Sequence, residues 1–271
     1  MRYAFYFFAL LVSSQAFAKT IENEADLLFE KLSSASAEQY ESVSESMSET
    51  GLKNAAISYG FQGGKYVTLK AILEHLDKRF ADAPFVDFRP VMMMKEGFLL
   101  LPAKITIQKG REVITESAAR RAAYIPNIVK QPKFVSVMPS WRDYFRIELT
   151  PPSINRHSVL PQTPKEQAIW KRKVREGWEK GVENAYDQYE RRLARLKDDY
   201  NGYLMYHILR DNNMVTEPQF SSNFYAVTGG GSTMSIDEVI VEVKVNPKLI
   251  SNRDAWESIP RLPSFLDFAK D

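Results

Sequence analysis

Cysteine is absent from the chain. That excludes disulfide frameworks, thiolate zinc sites, iron–sulfur clusters, a cysteine nucleophile and a lipid-modified N-terminal cysteine. Histidine is scarce: His75, His157 and His207 lie far apart, and none has a second ligand-type residue at His-Glu-x-x-His spacing. Each reads as a structural or surface side chain, with no metal site implied. A dominant charge is also missing, since 36 Lys and Arg against 34 Asp and Glu leave +2. No whole-molecule field therefore points to nucleic acid or anionic lipid. There is no Gly-x-Ser-x-Gly elbow and no repeat of 20–50 residues. After the first 18 residues no apolar run approaches the roughly 20 needed to span a bilayer, because the richest, residues 98–101, stops at Pro102. What is present, 44% hydrophobic, 26% charged and 12% aromatic residues, describes a folded globular body.

The N-terminus reads as an export signal over residues 1–18. Arg2 supplies the positive region, Tyr3 to Val12 the apolar run, and Ala16-Phe17-Ala18 the small-x-small site for cleavage before Lys19. Residues 21–32 could form a short amphipathic helix through Leu27, Leu28 and Leu32. Seven of the sixteen residues 33–48 are serine, so residues 19–50 are expected to be an N-terminal segment on a flexible linker that tethers the body to an assembly. A folded α+β domain is expected over 51–250 and a proline-punctuated tail over 251–271.

Within that body Tyr66, Leu69, Ile72, Leu73, Leu76 and Phe80 recur at helical spacing. Residues 105–108 and 111–115 around Lys109-Gly110 predict a β-hairpin, residues 120–125 and 133–137 further strands, and residues 145–149 an extension of the sheet stopped by Pro151-Pro152. Thr163-Pro164-Lys165-Glu166 is a capping box with proline at the first helical position. Downstream, Trp170, Val174, Trp178, Val182, Ala185, Tyr189, Leu193, Leu196, Tyr200 and Leu204 keep a near 3.6-residue period. A continuous helix to Leu209 would be roughly 70 Å long, so a bend is expected near Gly177–Gly181 or Asn201-Gly202. Residues 220–228 and 233–245 around Gly229-Gly230-Gly231-Ser232 predict a C-terminal hairpin.

The candidate chemistry is thin. Gly60-Phe61-Gln62-Gly63-Gly64-Lys65 lacks phosphate-loop spacing and has Tyr66 where a magnesium-binding hydroxyl should follow, so it reads as a glycine-rich helix N-terminus. The triglycine at 229–231 reads as a hairpin tip before an anion nest. Lys165, Lys171, Arg172, Lys173 and Arg175 are interleaved with Glu166, Glu176 and Glu179, which suits a solvated face better than a nucleic-acid interface. Gly177 and Gly181 leave room for a second backbone beside Trp170 and Trp178. Met92-Met93-Met94 suits deformable core filling. A periplasmic carboxylate-dependent hydrolase and a soluble ligand-binding carrier stay open as alternatives, with a nucleic-acid module behind them.

Several stretches together carry a resemblance. They are Ala56-Ile57-Ser58-Tyr59-Gly60-Phe61-Gln62-Gly63-Gly64, Phe85-Val86-Asp87-Phe88-Arg89, Leu101-Pro102-Ala103, Phe134 to Pro139 running into Ser140-Trp141-Arg142-Asp143-Tyr144, and Leu160 to Glu166. Trp170, Val174 to Gly181 including Gly177 and Trp178, and Val227-Thr228-Gly229 extend it. In order and spacing these resemble the DotC-like proteins of type IVB secretion systems, whose counterparts on IncI conjugative plasmids are called TraI. The resemblance implies a periplasmic subunit of an outer-membrane core complex, working in a multimeric assembly with DotD-like lipoprotein and DotH-like core partners, with no enzymatic role and no cofactor. It marks Gly63, Gly64, Trp141, Arg142, Asp143, Tyr144, Trp170, Gly177, Trp178 and Gly181 as packing or interface residues. Members of that family are typically lipoproteins. With no cysteine to acylate, attachment at the outer membrane is expected to run through partner subunits.

Overall fold

The computed structural model describes residues 15–36, 49–81, 86–109, 112–115, 117–121, 124–154 and 160–257. Its helices are α1 (Gln15–Ser33), α2 (Glu49–Arg79), α3 (Trp141–Phe145) and α4 (Pro164–Asp211). Its strands are β1 (Met93–Lys95), β2 (Phe98–Leu101), β3 (Lys104–Lys109), β4 (Glu112–Ile114), β5 (Ala119–Arg121), β6 (Tyr124–Lys130), β7 (Lys133–Val135), β8 (Gln219–Gly230) and β9 (Thr233–Val245). Every strand pair is antiparallel, so the class is α+β. The chain divides into two units, Met1–Phe85 with Tyr144–Leu193, and Val86–Asp143 with Ala194–Asp271. Helix α4 contributes residues 164–193 to the first and 194–211 to the second.

The 48 residues of α4 form one uninterrupted helix that runs through Gly177–Gly181 and Asn201-Gly202. Its start is the capping box. Thr163 Oγ1 accepts from the Glu166 backbone N–H at 3.2 Å, and the Glu166 carboxylate accepts from Thr163 N at 3.1 Å and Gln162 N at 2.8 Å. Its end is a Schellman turn: Asn213, at φ 57°, lets Met214 N–H reach Leu209 C=O at 2.8 Å while Asn213 N–H reaches Arg210 C=O at 2.9 Å. Asparagine tolerates that left-handed backbone better than most side chains.

In the first unit α1 and α2 pack with the first part of α4 around Leu32, Ala35, Leu52, Ala56, Leu160, Trp170 and Val174. The Trp170 indole N–H donates to Leu32 C=O at 2.8 Å, and Gln167 Nε2 donates to Ser33 C=O at 3.1 Å. These contacts correct the expectation of a segment apart from the body. Leu32 and Ala35 are buried, and Lys70 on α2 pairs with Glu24 on α1 at 2.6 Å. The apolar side of α1 lacks a buried partner of its own, and α2 and α4 supply one. The expected apolar run at 3–12 and linker residues 37–48 lie outside the described residues. Ala16, Ala18 and Lys19 fall within α1.

In the second unit β1, β2 and β7 form a three-stranded sheet, and Glu96-Gly97, at φ 49° and 81°, make the two-residue turn between β1 and β2. The hairpin expected around Lys109-Gly110 is replaced by a longer nested arm in which β3 pairs with β6 and β4 with β5. The reversal comes at Thr115, whose N–H donates to Ala118 C=O at 2.7 Å and whose hydroxyl bonds both Ala118 backbone groups at 3.1 Å. A Ser/Thr-type turn outcompetes Lys-Gly because its side chain supplies the missing backbone partner. Residues 145–149 are not strand. Ser140 and Asp143 close a turn, with Ser140 N–H donating to Asp143 Oδ2 at 2.8 Å, and so start helix α3. A core of Ala103, Ile105, Tyr206, Leu209 and Val215 lies between β3 and the end of α4, with Met93 against it. Met94 is 69% exposed, so only part of the methionine run fills core. The β8–β9 hairpin follows the sequence reading closely, and main-chain pairing of residues 214–216 with 248–250 closes its foot.

Candidate functional site

The glycines read as a helix N-terminus lie in the middle of α2, where glycine costs about 1 kcal/mol each against alanine. The compensation is a backbone seam with α4. A Cβ on Gly60 would stand 2.1 Å from Val174 O, and one on Gly64 would stand 2.3 Å from Trp178 O. From the other side, Gly177 would meet Ile57 O at 2.1 Å and Gly181 would meet Phe61 O at 2.2 Å. Each helix thus offers two glycines four apart, and the two backbones touch without side chains between them. Gly63 faces differently: its Cβ would strike Leu32 Cδ1 at 2.6 Å and the Trp178 ring at 2.8 Å. Phe29 of α1 meets that ring edge-on at 5.4 Å, and Tyr59 lies 6.0 Å from the Trp170 ring. Gly63, Gly64, Trp170, Gly177, Trp178 and Gly181 therefore converge on one three-helix junction.

The Trp-Arg-Asp-Tyr motif lies elsewhere, where the chain passes from one unit to the other. Trp141 is buried, and the Arg142 guanidinium stacks on its indole at 4.6 Å. Asp143 accepts the Ser140 N–H that closes the turn. On the first-unit side the Arg192 guanidinium donates to Tyr144 C=O at 2.9 Å, and Phe145 stacks with Tyr189 at 5.7 Å. The Asp143 carboxylate thus serves the turn, and the Tyr144 carbonyl takes a side chain of α4.

The charge on α4 is partly neutralised in place. Glu176 accepts from Lys173 at 2.6 Å and Lys180 at 2.8 Å, and those two ammonium groups pull its carboxyl down to about 2. Backbone N–H groups of Gln162 and Thr163 likewise hold Glu166 below the usual carboxylate range. The buried ions of the second unit escaped the sequence reading. Lys104, 7% exposed, reaches Asp198 and, at 2.6 Å, Asp199, which also takes Lys130 at 3.2 Å. Burial disfavours the charge on Lys104, but the two aspartates outweigh it and hold the ammonium above its ordinary range. Burial raises Asp199 too, and Lys104 more than reverses this, leaving the carboxyl lowered. Gly202 makes the space, since its Cβ would fall 2.5 Å from Lys104 Cγ. Only an isolated Lys in an apolar-polar strand could have signalled this.

Of the histidines, His207 Nε2 donates to Val91 C=O at 3.0 Å, His75 lies on α2, and His157 lies outside the described residues. Among the described residues no three His, Asp or Glu side chains gather in a way that could hold a metal ion. No described helix is long and apolar enough to cross a membrane. The arrangement comprises a glycine seam that joins helices α2 and α4, a strand ion-paired to α4 through Lys104 and Asp199, and an exposed hairpin. A family model described as type IV secretory system, conjugal DNA-protein transfer, matches residues 46–258, a span that holds α2, every strand and all of α4. Comparison with curated proteins finds no match.

Proposed function

This chain belongs to the TraI family of type IV secretory systems for conjugal DNA-protein transfer, and from that premise we propose that it is an exported, non-catalytic structural subunit of the outer-membrane core. One observation carries the structural role: the residues of the DotC-like resemblance go to close packing. Gly64, Gly177 and Gly181 allow backbone contact, Gly63 and Trp178 interlock with α1, and Trp170 is buried and hydrogen-bonded to α1. A subunit that transmits or resists force needs such junctions more than a cleft. The export signature at residues 1–18 supports a periplasmic location. The DotC-like resemblance supports DotD-like lipoprotein and DotH-like core partners, which hold the cysteine-free chain at the outer membrane.

Deletion of the gene in a conjugating donor tests the reading. Transfer frequency should fall to background and return on complementation, and periplasmic protein should begin at Lys19. With partner subunits present the protein should fractionate with the outer membrane, and without them it should be freely periplasmic. Undiminished transfer after deletion would overturn the role. Membrane association that persists without partners would overturn the mode of attachment.

A further inference from the structure

The β8–β9 hairpin has strands of 12 and 13 residues, and among the described residues neither strand pairs with a third. A two-stranded hairpin alone in water is marginal at best. From residue 222 to residue 237 every position but Thr228 is exposed. Phe224 is 64% exposed, and the opposed Val227 and Ile236 are 59% and 64% exposed. The two open edges differ. β9 carries Asp237, Glu238, Glu242 and Lys244, and Asp237 at φ 57° breaks its extended line. Those are the devices by which natural edge strands refuse further pairing. β8, Gln-Phe-Ser-Ser-Asn-Phe-Tyr-Ala-Val-Thr-Gly-Gly, has no charge and no proline along its length. Among the described residues its outer edge has no strand partner.

We propose that this edge is an interface between copies of the chain, with β8 of one protomer pairing antiparallel with β8 of a second about a two-fold axis into a four-stranded β9–β8–β8–β9 sheet. Charge selects this occupant. An uncharged strand opposite its own copy brings no like charges together, whereas β9 opposite β9 would set its acidic residues against one another. The apolar face supports the same choice. Phe98, Phe134 and Phe220 form a chain of rings 6.2 Å apart from β2 through β7 onto β8. Phe224, four residues further along β8 and so on the same side of the strand, carries that face outward, and the second copy continues it.

The geometry gives a sharp test. Directly opposed residues of an antiparallel pair share a face; when both strands are copies of β8 the same numbers lie on the same face in each, so opposed numbers have the same parity and a two-fold pair must place one residue opposite itself. That residue lies about 4.5–5.5 Å, Cα to Cα, from its copy, within disulfide reach. Because the chain has no cysteine, single cysteine substitutions at each of residues 221–227 can crosslink only to another copy. Oxidation of the purified full-length protein should trap a disulfide dimer strongly at one position and weakly at its two neighbours. The unsubstituted protein should sediment as a dimer. Phe224→Lys should weaken association at least tenfold while leaving the far-ultraviolet circular dichroism unchanged, because the ring is exposed in the monomer.

A monomer that crosslinks at none of the seven positions overturns the proposal. So does equal crosslinking from a cysteine at Ile240 on β9, or a monomer whose β8 amides exchange slowly, which would place the covering strand within the same chain. The inference does not rest on the secretion reading. These measurements use purified protein, so their failure leaves the transfer experiment standing, and an unaltered transfer frequency leaves the dimer standing.

Discussion

Alanine at Gly60 should destabilise the protein, although alanine is the better helix former. By propensity alone Gly60→Ala would gain about 1 kcal/mol in the interior of α2. The new Cβ, however, would lie 2.1 Å from Val174 O and 2.9 Å from Trp178 N, both backbone atoms of α4. No rotamer change relieves that contact. The helices must separate by about 1 Å, and a gap of that size forfeits a quarter to a half of the dispersion energy of each contact along the seam. Overpacking of a rigid core costs about 1–3 kcal/mol, and with the seam loosened as well the net loss should be about 2 kcal/mol. Urea denaturation followed by circular dichroism measures it. Gly230→Ala is the control: nothing lies within 4 Å of its Cβ, and its change should stay within about 0.5 kcal/mol. Combining Gly60→Ala with Gly177→Ala should cost less than the sum, since one separation of the helices accommodates both. A Gly60→Ala protein as stable as the parent would refute the seam.

Thr163→Ala should cost about 0.5–2 kcal/mol through loss of the α4 cap. The Glu166 carboxyl is lowered in the fold, so its contribution is full above the ordinary carboxylate value of about 4.5 and disappears as pH falls through the lowered value; acid titration of stability should flatten in that window for Glu166→Gln. Lys104→Ala should cost about 3–5 kcal/mol, because it leaves Asp199 with only the exposed Lys130 and empties the space beside Gly202. Lys104→Met with Asp199→Leu should recover most of that loss in the same denaturation assay. Among the described residues the buried Tyr206 hydroxyl meets no hydrogen-bond partner, and Tyr206→Phe should therefore be neutral or stabilising by up to about 1 kcal/mol. A loss of more than 1 kcal/mol would point to a partner for that hydroxyl.

Local chemistry was legible wherever the signal is short in range. The capping box at 163–166, the 3.6-residue stripe of α4 and the glycine turn between β8 and β9 were all readable from residue order, because each rests on contacts within a few residues or on a simple period. The family was legible too, since its motifs stand in order along the chain. Partner choice in the sheets was not. Lys109-Gly110 looks as good a turn as Thr115–Ala118, and which one reverses the chain depends on which strands pair beyond it. Likewise, Gly60 and Gly64 had to be read with Val174 and Trp178, each 114 positions further on, before they became a seam. Nothing near Gly60 in sequence says that Val174 O will lie against it. The ion pairs of Lys104 and the burial of α1 have the same character. Sequence alone determined the capped start of α4, its apolar stripe, the uncharged edge of β8 and the family. Tertiary structure decided which backbones touch, because propensities of about 1 kcal/mol per residue are overridden by packing worth several.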